Sequence, residues 1–117
     1  MKESILKKKS YLFAVEIVKL SQHLQKDKKE YILSKQIMRS GTAIGALIRE
    51  AEFAESKADF KHKMYISLKE ANETKYWLSL LKDTSYLGEN QYSDLFDLCK
   101  ELVAMLVSTI KTLKKSQ

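Results

Sequence analysis

The sequence predicts an all-α protein, folded as an up-down-up-down antiparallel four-helix bundle that forms a single domain over residues 1–117. Proline is absent and only three glycines occur, while 44% of the residues are hydrophobic and 31% are charged. This composition is typical of a helical globular protein. Apolar residues recur every three or four positions along four long stretches, which places them on one face of each helix. Short connections join the stretches, so consecutive helices are expected to run antiparallel.

The first helix is predicted from about Ser4 to Gln25, and an all-charged connection over residues 26–30 follows it. The second helix starts after this connection. Either Asp27 or Ser34 can cap its N-terminus, because both residue types accept hydrogen bonds from free amide groups. The core stripe of the first helix consists of Leu6, Phe13, Ile17, Leu20 and Leu24.

The second and third helices are predicted to form a tight hairpin whose turn contains neither proline nor glycine. The second helix extends to about Glu55, and the third runs from about Lys57 to Ser85. Ser56 can cap the third helix while Asp59 occupies the third helical position, which is a capping-box arrangement with Asp in place of Glu. The chain therefore turns near Lys57.

This hairpin sets which residues of its two helices lie opposite each other. Residue i faces roughly residue 114 − i of the partner helix, so Arg39 is level with Lys75 and within one turn of Glu73. We interpret Arg39 and Glu73 as a structural ion pair, with Glu70 as an alternative partner, because the planar guanidinium matches a carboxylate. The other interpretation is that Arg39 faces a pore or groove and contacts phosphate.

Two glycines, Gly41 and Gly45, lie four residues apart inside the second helix. Each costs about 1 kcal/mol of helix stability relative to alanine. The plain explanation is a close backbone approach to a neighbouring helix, and a hinge or a ligand contact is the alternative.

The fourth helix is predicted from about Glu89 to Leu113, with Gly88 as the stop signal of the third helix. Cys99 is the single cysteine and lies on an apolar stripe, so we expect a buried, inert thiol. A reducing cytoplasm fits a chain that cannot form an internal disulfide. The stripe of the fourth helix consists of Tyr92, Leu95, Cys99, Leu102, Leu106 and Leu113.

The third helix carries more apolar side chains than one core face requires. Beyond its main stripe lie Tyr65, Tyr76 and Trp77. A helix that is apolar on several sides is usually covered on several sides, so we predict an oligomer interface that uses these three aromatic residues. The alternative is that Trp77 only closes the core of the monomer.

The formal charge is +6, and the excess lies in residues 1–30, with eight Lys against four acids, and in residues 61–86, with five against three. A basic excess favours contact with polyanions. We therefore predict contact with the backbone of RNA or DNA, without base readout and without an aromatic stacking platform, because the aromatic residues mostly lie on core or interface stripes. The alternative for each of these lysines is an ordinary solvated position on the surface, without a nucleic-acid contact. The candidate nucleic-acid-binding residues are Lys7, Lys8, Lys9, Arg49, Lys61, Lys69 and Lys75.

Metal, cofactor and catalytic sites are not expected. Only two histidines occur, and although His62 follows Asp59 at the spacing of a di-iron motif, no second copy exists. Cys99 has no histidine in its own helix to act as a base, and no glycine-rich phosphate loop is present.

No apolar run approaches the ~20 residues of a membrane span, and no signal peptide is recognised. We predict a non-enzymatic cytoplasmic protein without membrane contact.

Two strings of the sequence carry a family resemblance, RSGTAIGALIREA and SKADFKHKMYISLKEANETKYWLSLL. They resemble the bacterial four-helix-bundle proteins encoded within 23S ribosomal RNA intervening sequences. A related branch is the accessory protein of diversity-generating retroelements. The resemblance implies a helical bundle that assembles into rings, often pentamers, and for most members no settled activity. The retroelement branch implies binding to nucleic acid and to a reverse transcriptase.

Two hypotheses of function follow. The first is a ring-like homo-oligomer without enzymatic activity whose basic surface holds RNA or DNA, as an accessory to a reverse transcriptase or to a ribosomal RNA element. The second is a structural or protein-binding homo-oligomer whose positive charge serves solubility. The salt dependence of nucleic-acid binding distinguishes the two.

Overall fold

A computed structural model describes residues 4–115 as four helices, with no strand in that range. The helices are α1 (Ile5–Lys26), α2 (Leu33–Ala51), α3 (Lys57–Asp83) and α4 (Glu89–Lys115). Each helix packs on its sequence neighbours, and α1 and α4 form the smallest contact among the helix pairs that touch. The molecule is elongated, measuring 47 × 23 × 21 Å. This arrangement confirms the predicted all-helical fold with four helices.

The core of the bundle is built from the apolar stripes of all four helices. Every residue of the stripe predicted for α1 is buried, and Ile17 and Leu24 are fully inaccessible to solvent. Burying one such side chain stabilises the fold by about 1.5–3 kcal/mol. Among the side chains that the structure describes, no buried nitrogen or oxygen lacks a hydrogen-bond partner.

The start of α2 is fixed by Glu30, and the predicted caps Asp27 and Ser34 were wrong. The Glu30 carboxylate accepts the backbone N–H groups of Ile32, Leu33 and Ser34 at 3.1, 2.9 and 2.7 Å. Burial raises the pKa of the Glu30 carboxyl, but these donors outweigh it and hold the pKa below its ordinary value. A buried acid placed ahead of the helix therefore satisfies the free amide groups that a cap residue normally serves.

The turn between α2 and α3 has the predicted Ser56 cap, and its capping box is shifted because Asp59 reaches the residue before the cap. The Ser56 hydroxyl accepts the N–H of Asp59 at 3.1 Å, and the Asp59 carboxylate accepts the N–H of Glu55 at 3.1 Å. Helix α3 consequently begins at Lys57, as expected. Helix α2 ends at Ala51, earlier than the predicted limit near Glu55, because the next amide groups bond three residues back and tighten the chain.

The end of α3 differs from the prediction that placed the stop at Gly88. Ser85 adopts the left-handed conformation with φ 67°, whereas Gly88 has no positive φ. The N–H of Tyr86 then bonds to the carbonyl of Leu81 at 2.9 Å, which is the closing bond of a Schellman motif. The helix therefore ends at Asp83, and Gly88 lies just before α4 instead.

The two glycines of α2 face α1. A Cβ atom at Gly41 would lie 2.8 Å from Cγ2 of Ile17, and one at Gly45 would lie 3.3 Å from the backbone oxygen of Ser10. The close approach predicted from these glycines is thus present, and the neighbouring helix is α1. Side chains larger than hydrogen would push the two helices apart.

Hydroxyl groups hold α2 against α3 on its other side. The Thr74 hydroxyl donates to the Ser40 hydroxyl at 2.8 Å, and the Ser67 hydroxyl donates to the backbone oxygen of Ile44 at 2.9 Å. All three hydroxyl-bearing residues are buried. Ser40 and Thr74 are opposite each other in the register expected from the turn at Lys57. Polar bonds between buried groups are sensitive to displacement, so they favour this register over a shifted one.

We predict that Gly41→Ala destabilises the protein by about 1 kcal/mol. Overpacking against the branched, fully buried Ile17 costs roughly 1–3 kcal/mol, and the higher helix propensity of alanine returns about 1 kcal/mol. Urea unfolding followed by circular dichroism measures the change. Gly88→Ala is the comparison without a steric contact, because outside residues 87–89 no described atom lies within 4 Å of the position that its new Cβ would take. Since Gly88 directly precedes α4, where alanine caps less well than glycine, a loss of stability in this variant measures capping and not packing. A Gly41→Ala protein as stable as wild type would show that α1 and α2 are not limited by this contact.

Candidate nucleic-acid interface

The three consecutive lysines near the start of α1 have different surroundings. Lys7 Nζ lies 2.7 Å from a carboxylate oxygen of Glu52, and Lys9 Nζ lies 2.7 Å from one of Glu101. Lys8 is exposed, and no carboxylate within residues 4–115 forms an ion pair with it. Two of the three charges therefore link α1 to the end of α2 and to α4, and they offer less to a phosphate than the run of lysines suggested.

Arg49 and Lys75 each lie over an aromatic ring. The guanidinium carbon of Arg49 is 5.6 Å from the ring centre of Tyr11, and Lys75 Nζ is 5.5 Å from that of Phe96. Both distances suit a cation–π contact. Arg49 also borders a shallow groove between α1 and α2 whose floor includes Gly45. A guanidinium held by a ring keeps its charge, so Arg49 is still able to attract an anion.

The remaining candidates lie on the outward face of α3. Positions 61, 65, 69, 72 and 76 fall within about one quarter of the helix circumference. Tyr65 is 36% and Tyr76 is 60% exposed, and Asn72 and Lys69 are exposed with Lys61 half-buried. In the described part of the chain neither lysine has an ion-pair partner. We call these five residues the α3 outer stripe.

The α3 outer stripe combines residues that the sequence analysis assigned to two different functions. Lys61 and Lys69 were candidates for nucleic-acid binding, whereas Tyr65 and Tyr76 were candidates for an oligomer interface. Asn72 was missed, although its position in the three- and four-residue spacing was visible in the sequence. Ammonium groups attract phosphate, and exposed tyrosine rings stack on bases. The exposure of these two rings differs from the expectation that the aromatic residues offer no stacking platform. A lysine of α4, Lys114, adds a cation 5.8 Å from the ring centre of Tyr65.

Arg39 lies against two carboxylates of α3. Its Nη1 donates to Glu70 Oε1 at 3.2 Å, and its Nη2 donates to Glu73 Oε2. The hydrogen bond to Glu73 and the charge of both carboxylates raise the pKa of Arg39, against a smaller effect of burial. Two negative charges face one positive charge here, so the cluster has no excess positive charge to attract phosphate.

Trp77 is held by the same cluster. Its indole N–H donates to Glu73 Oε2 at 2.9 Å, and its ring packs edge-on against Tyr76, with ring centres 5.0 Å apart. The ring also packs on the core and is half-buried. The hydrogen bond from Trp77, followed by Arg39, holds the pKa of Glu73 below its ordinary value, although burial acts in the opposite direction. Trp77 is thus engaged within its own chain, whereas Tyr76 points outward.

The thiol of Cys99, which the sequence analysis examined as a nucleophile, lies in inert surroundings. Cys99 is buried, its thiol donates to the backbone oxygen of Ala71 at 3.2 Å, and burial raises its pKa to about 12. No group of three or more metal-binding side chains occurs among the described residues. Over the same residues, none of the helices is long and apolar enough to span a membrane.

The fold and the site together define an all-helical protein, a four-helix bundle with an exposed stripe of lysine and tyrosine on α3. Residues 2–108 match the model of the 23S rRNA-intervening sequence protein family, and the chain belongs to this family. It is similar to the crystal structure of a protein of unknown function from the S23 ribosomal protein family of Bacteroides thetaiotaomicron. The two are 52% identical with a TM-score of 0.91, over 92% of this chain and 99% of that chain. No match was found among curated proteins.

We predict that the fluorescence of Trp77, the single tryptophan, reports the protonation of Glu73. The emission should change with a midpoint below the ordinary glutamate pKa of about 4.3, and Arg39→Ala should raise that midpoint because it removes a positive charge. The pKa of Glu73 is depressed in the folded state. Its contribution to stability is therefore complete above about pH 4.3 and is lost as the pH falls through the folded pKa.

Circular dichroism at each pH separates this titration from unfolding. Glu73→Gln is the control, since it removes the titrating group and should abolish the transition. An unchanged midpoint in Arg39→Ala would contradict the coupling of the three side chains.

Proposed function

We propose that the protein is a ring-forming homo-oligomer without enzymatic activity that holds RNA or DNA through the sugar–phosphate backbone. The observation that carries the proposal is the α3 outer stripe. Its lysines, Lys61 and Lys69, have no ion-pair partner among residues 4–115, and they alternate with the exposed rings of Tyr65 and Tyr76. Cations at this spacing fit a chain of phosphates, and the rings between them fit unpaired bases.

The chemistry of this surface favours binding without strict sequence readout. Lysine contacts to phosphate release counterions, so the affinity falls steeply as salt rises. Asn72 is the one side chain of the stripe that carries a paired donor and acceptor, and a single such group reads too few base edges for strict sequence specificity. Where a single copy binds weakly, a ring multiplies the contacts along one nucleic acid.

The ring requires an interface, and α1 and α4 offer an apolar one. Ile5 and Leu12, seven residues apart on one face of α1, are 65% and 55% exposed, and Leu98 of α4 is 41% exposed. Among the helix pairs in contact, these two also share the smallest interface. An interface on this side would leave the α3 outer stripe free for nucleic acid. The pentamer and a partner that is a reverse transcriptase or a ribosomal RNA element are proposed from the resemblance to this family and to its retroelement branch. The cytoplasmic location is proposed from the single cysteine.

The competing function is a structural or protein-binding homo-oligomer without a nucleic-acid role. The same exposed stripe supports it, because Tyr65 and Tyr76 are suited to anchor a protein interface. In that case the lysines would surround the tyrosines as a polar rim. The two functions differ in what salt and lysine substitution do to nucleic-acid binding.

We predict that labelled structured RNA and duplex DNA bind the protein with micromolar or tighter affinity at low salt, measured by fluorescence anisotropy. The double variant Lys61→Gln with Lys69→Gln should weaken binding. It should also reduce the slope of log affinity against log salt by at least about 1.4, the loss expected for two phosphate contacts to a single strand.

The matched control is Lys100→Gln with Lys111→Gln, which removes the same charge from α4 and should retain most of the affinity. Light scattering on every sample establishes that the particle size is unchanged. A well-folded oligomer that binds no nucleic acid at low salt would favour the protein-binding function. Equal effects of the two double variants would show that net charge, and not the stripe, governs binding.

A further inference from the structure

The connection between α1 and α2 is a second basic and aromatic surface, at the opposite end of α1 from Lys7. We call residues 27–32 the α1–α2 loop. Tyr31 is 49% and Ile32 is 74% exposed, although both are large apolar side chains. Three lysines lie close to them in the sequence, Lys26 at the end of α1 and Lys28 and Lys29 in the loop, and all three are exposed.

The acidic residues of this loop are engaged by its own structure. Glu30 is only 8% exposed, and its carboxylate is turned inward onto the amide groups at the start of α2. Asp27 lies 2.7 Å from the Nδ1 atom of His23. None of the three lysines forms an ion pair with any residue between 4 and 115. The outward charge of the loop is therefore predominantly positive.

The backbone of the loop is held in one shape. Lys29 adopts the left-handed conformation with φ 58°, and the N–H of Glu30 bonds to the carbonyl of Leu24 at 2.9 Å. The Ser34 hydroxyl also donates to the carbonyl of Glu30 at 2.8 Å. A loop that is already ordered loses little further conformational freedom when it binds a ligand.

We propose that the α1–α2 loop binds unpaired nucleotides of a single-stranded nucleic acid, with the Tyr31 ring stacked on a base and Lys28 and Lys29 on the flanking phosphates. The inference rests on the proposed function and adds a second site to it. Charge complementarity favours this ligand. The exposed apolar side chains suit a base, and the lysines near them in the sequence suit the phosphates on either side of it. Stacking favours strands whose bases are free.

The surface is limited on one side by the turn between α3 and α4, which lies at the same end of the bundle. Asp83, the last residue of α3, is exposed, and Lys82 Nζ lies 3.8 Å from its carboxylate. This ion pair has no net charge, so it does not extend the positive surface of the loop toward the turn. The α3 outer stripe lies on a different helix, and the two sites are separable by substitution.

The experiment compares the affinities of single-stranded RNA, single-stranded DNA of the same sequence and a duplex for variants of the full chain. Tyr31→Ala should weaken binding of single strands about tenfold and leave the duplex within twofold of wild type. Tyr31→Phe keeps the ring and should bind like wild type.

Lys28→Gln with Lys29→Asn should lower the slope of log affinity against log salt, and asparagine tolerates the left-handed backbone at position 29. Phe53→Ala is the matched control, an 84% exposed aromatic residue at the opposite end of the bundle.

A positive test locates the contact directly. Single strands that contain 5-iodouridine are irradiated on the wild-type protein, and mass spectrometry should find the crosslink at Tyr31. Loss of single-strand affinity in Tyr31→Ala supports the proposal for RNA, for DNA or for both, and the two strands show whether the 2′-hydroxyl contributes.

Three outcomes overturn it, and they have different meanings. Absence of binding by the wild-type oligomer at low salt removes both the proposed function and this site. Binding that Tyr31→Ala leaves unchanged removes the site alone. A change of particle size in Tyr31→Ala, measured by light scattering, identifies the loop as a contact between subunits instead.

Discussion

The close packing of α2 between α1 and α3 is the constraint on which the other features depend. On one side Gly41 admits Ile17 to within van der Waals distance of the backbone. On the other side the hydroxyls of Ser67 and Thr74 bond to α2. Small or hydrogen-bonding side chains at these crossings fix both the distance and the register of three helices. The register then decides that Arg39 meets the carboxylates of α3 and that the α3 outer stripe faces solvent.

Most of the fold was predictable because it depends on local repetition. The apolar period located four helices, and the spacing from Ser56 to Asp59 located one turn. The caps that escaped prediction depend on tertiary structure. Glu30 acts from ahead of the helix only because the loop folds it inward, and Ser85 takes the left-handed role that was assigned to Gly88 because the chain reverses three residues earlier. Residue preference alone does not contain that information.

The candidate site was less predictable, because the availability of a charge depends on neighbours from other helices. Lys7 and Lys9 were equivalent in the sequence, yet their partners come from the end of α2 and from α4 respectively, which no local pattern reveals. The α3 outer stripe was accessible in principle, since its spacing is helical. Its lysines and tyrosines were predicted to have different functions because residue type alone suggests phosphate contact for lysine and an interface for tyrosine. Their common helical face shows that they form one surface. The exposure of Tyr31 and Ile32 was likewise not predictable from the sequence, because it depends on the conformation of the α1–α2 loop.

The weak contact between α1 and α4 has a consequence for how the chain folds. Every extensive interface joins helices that are adjacent in the sequence, so each can form by closing a connection of only a few residues. Closing a short loop costs little entropy, and bundles dominated by such contacts fold on the microsecond to millisecond scale. We therefore expect the first and fourth helices to meet in the last step of folding. It brings together the most distant helices across the smallest interface, so a nascent chain gains this contact only after α4 has been synthesised.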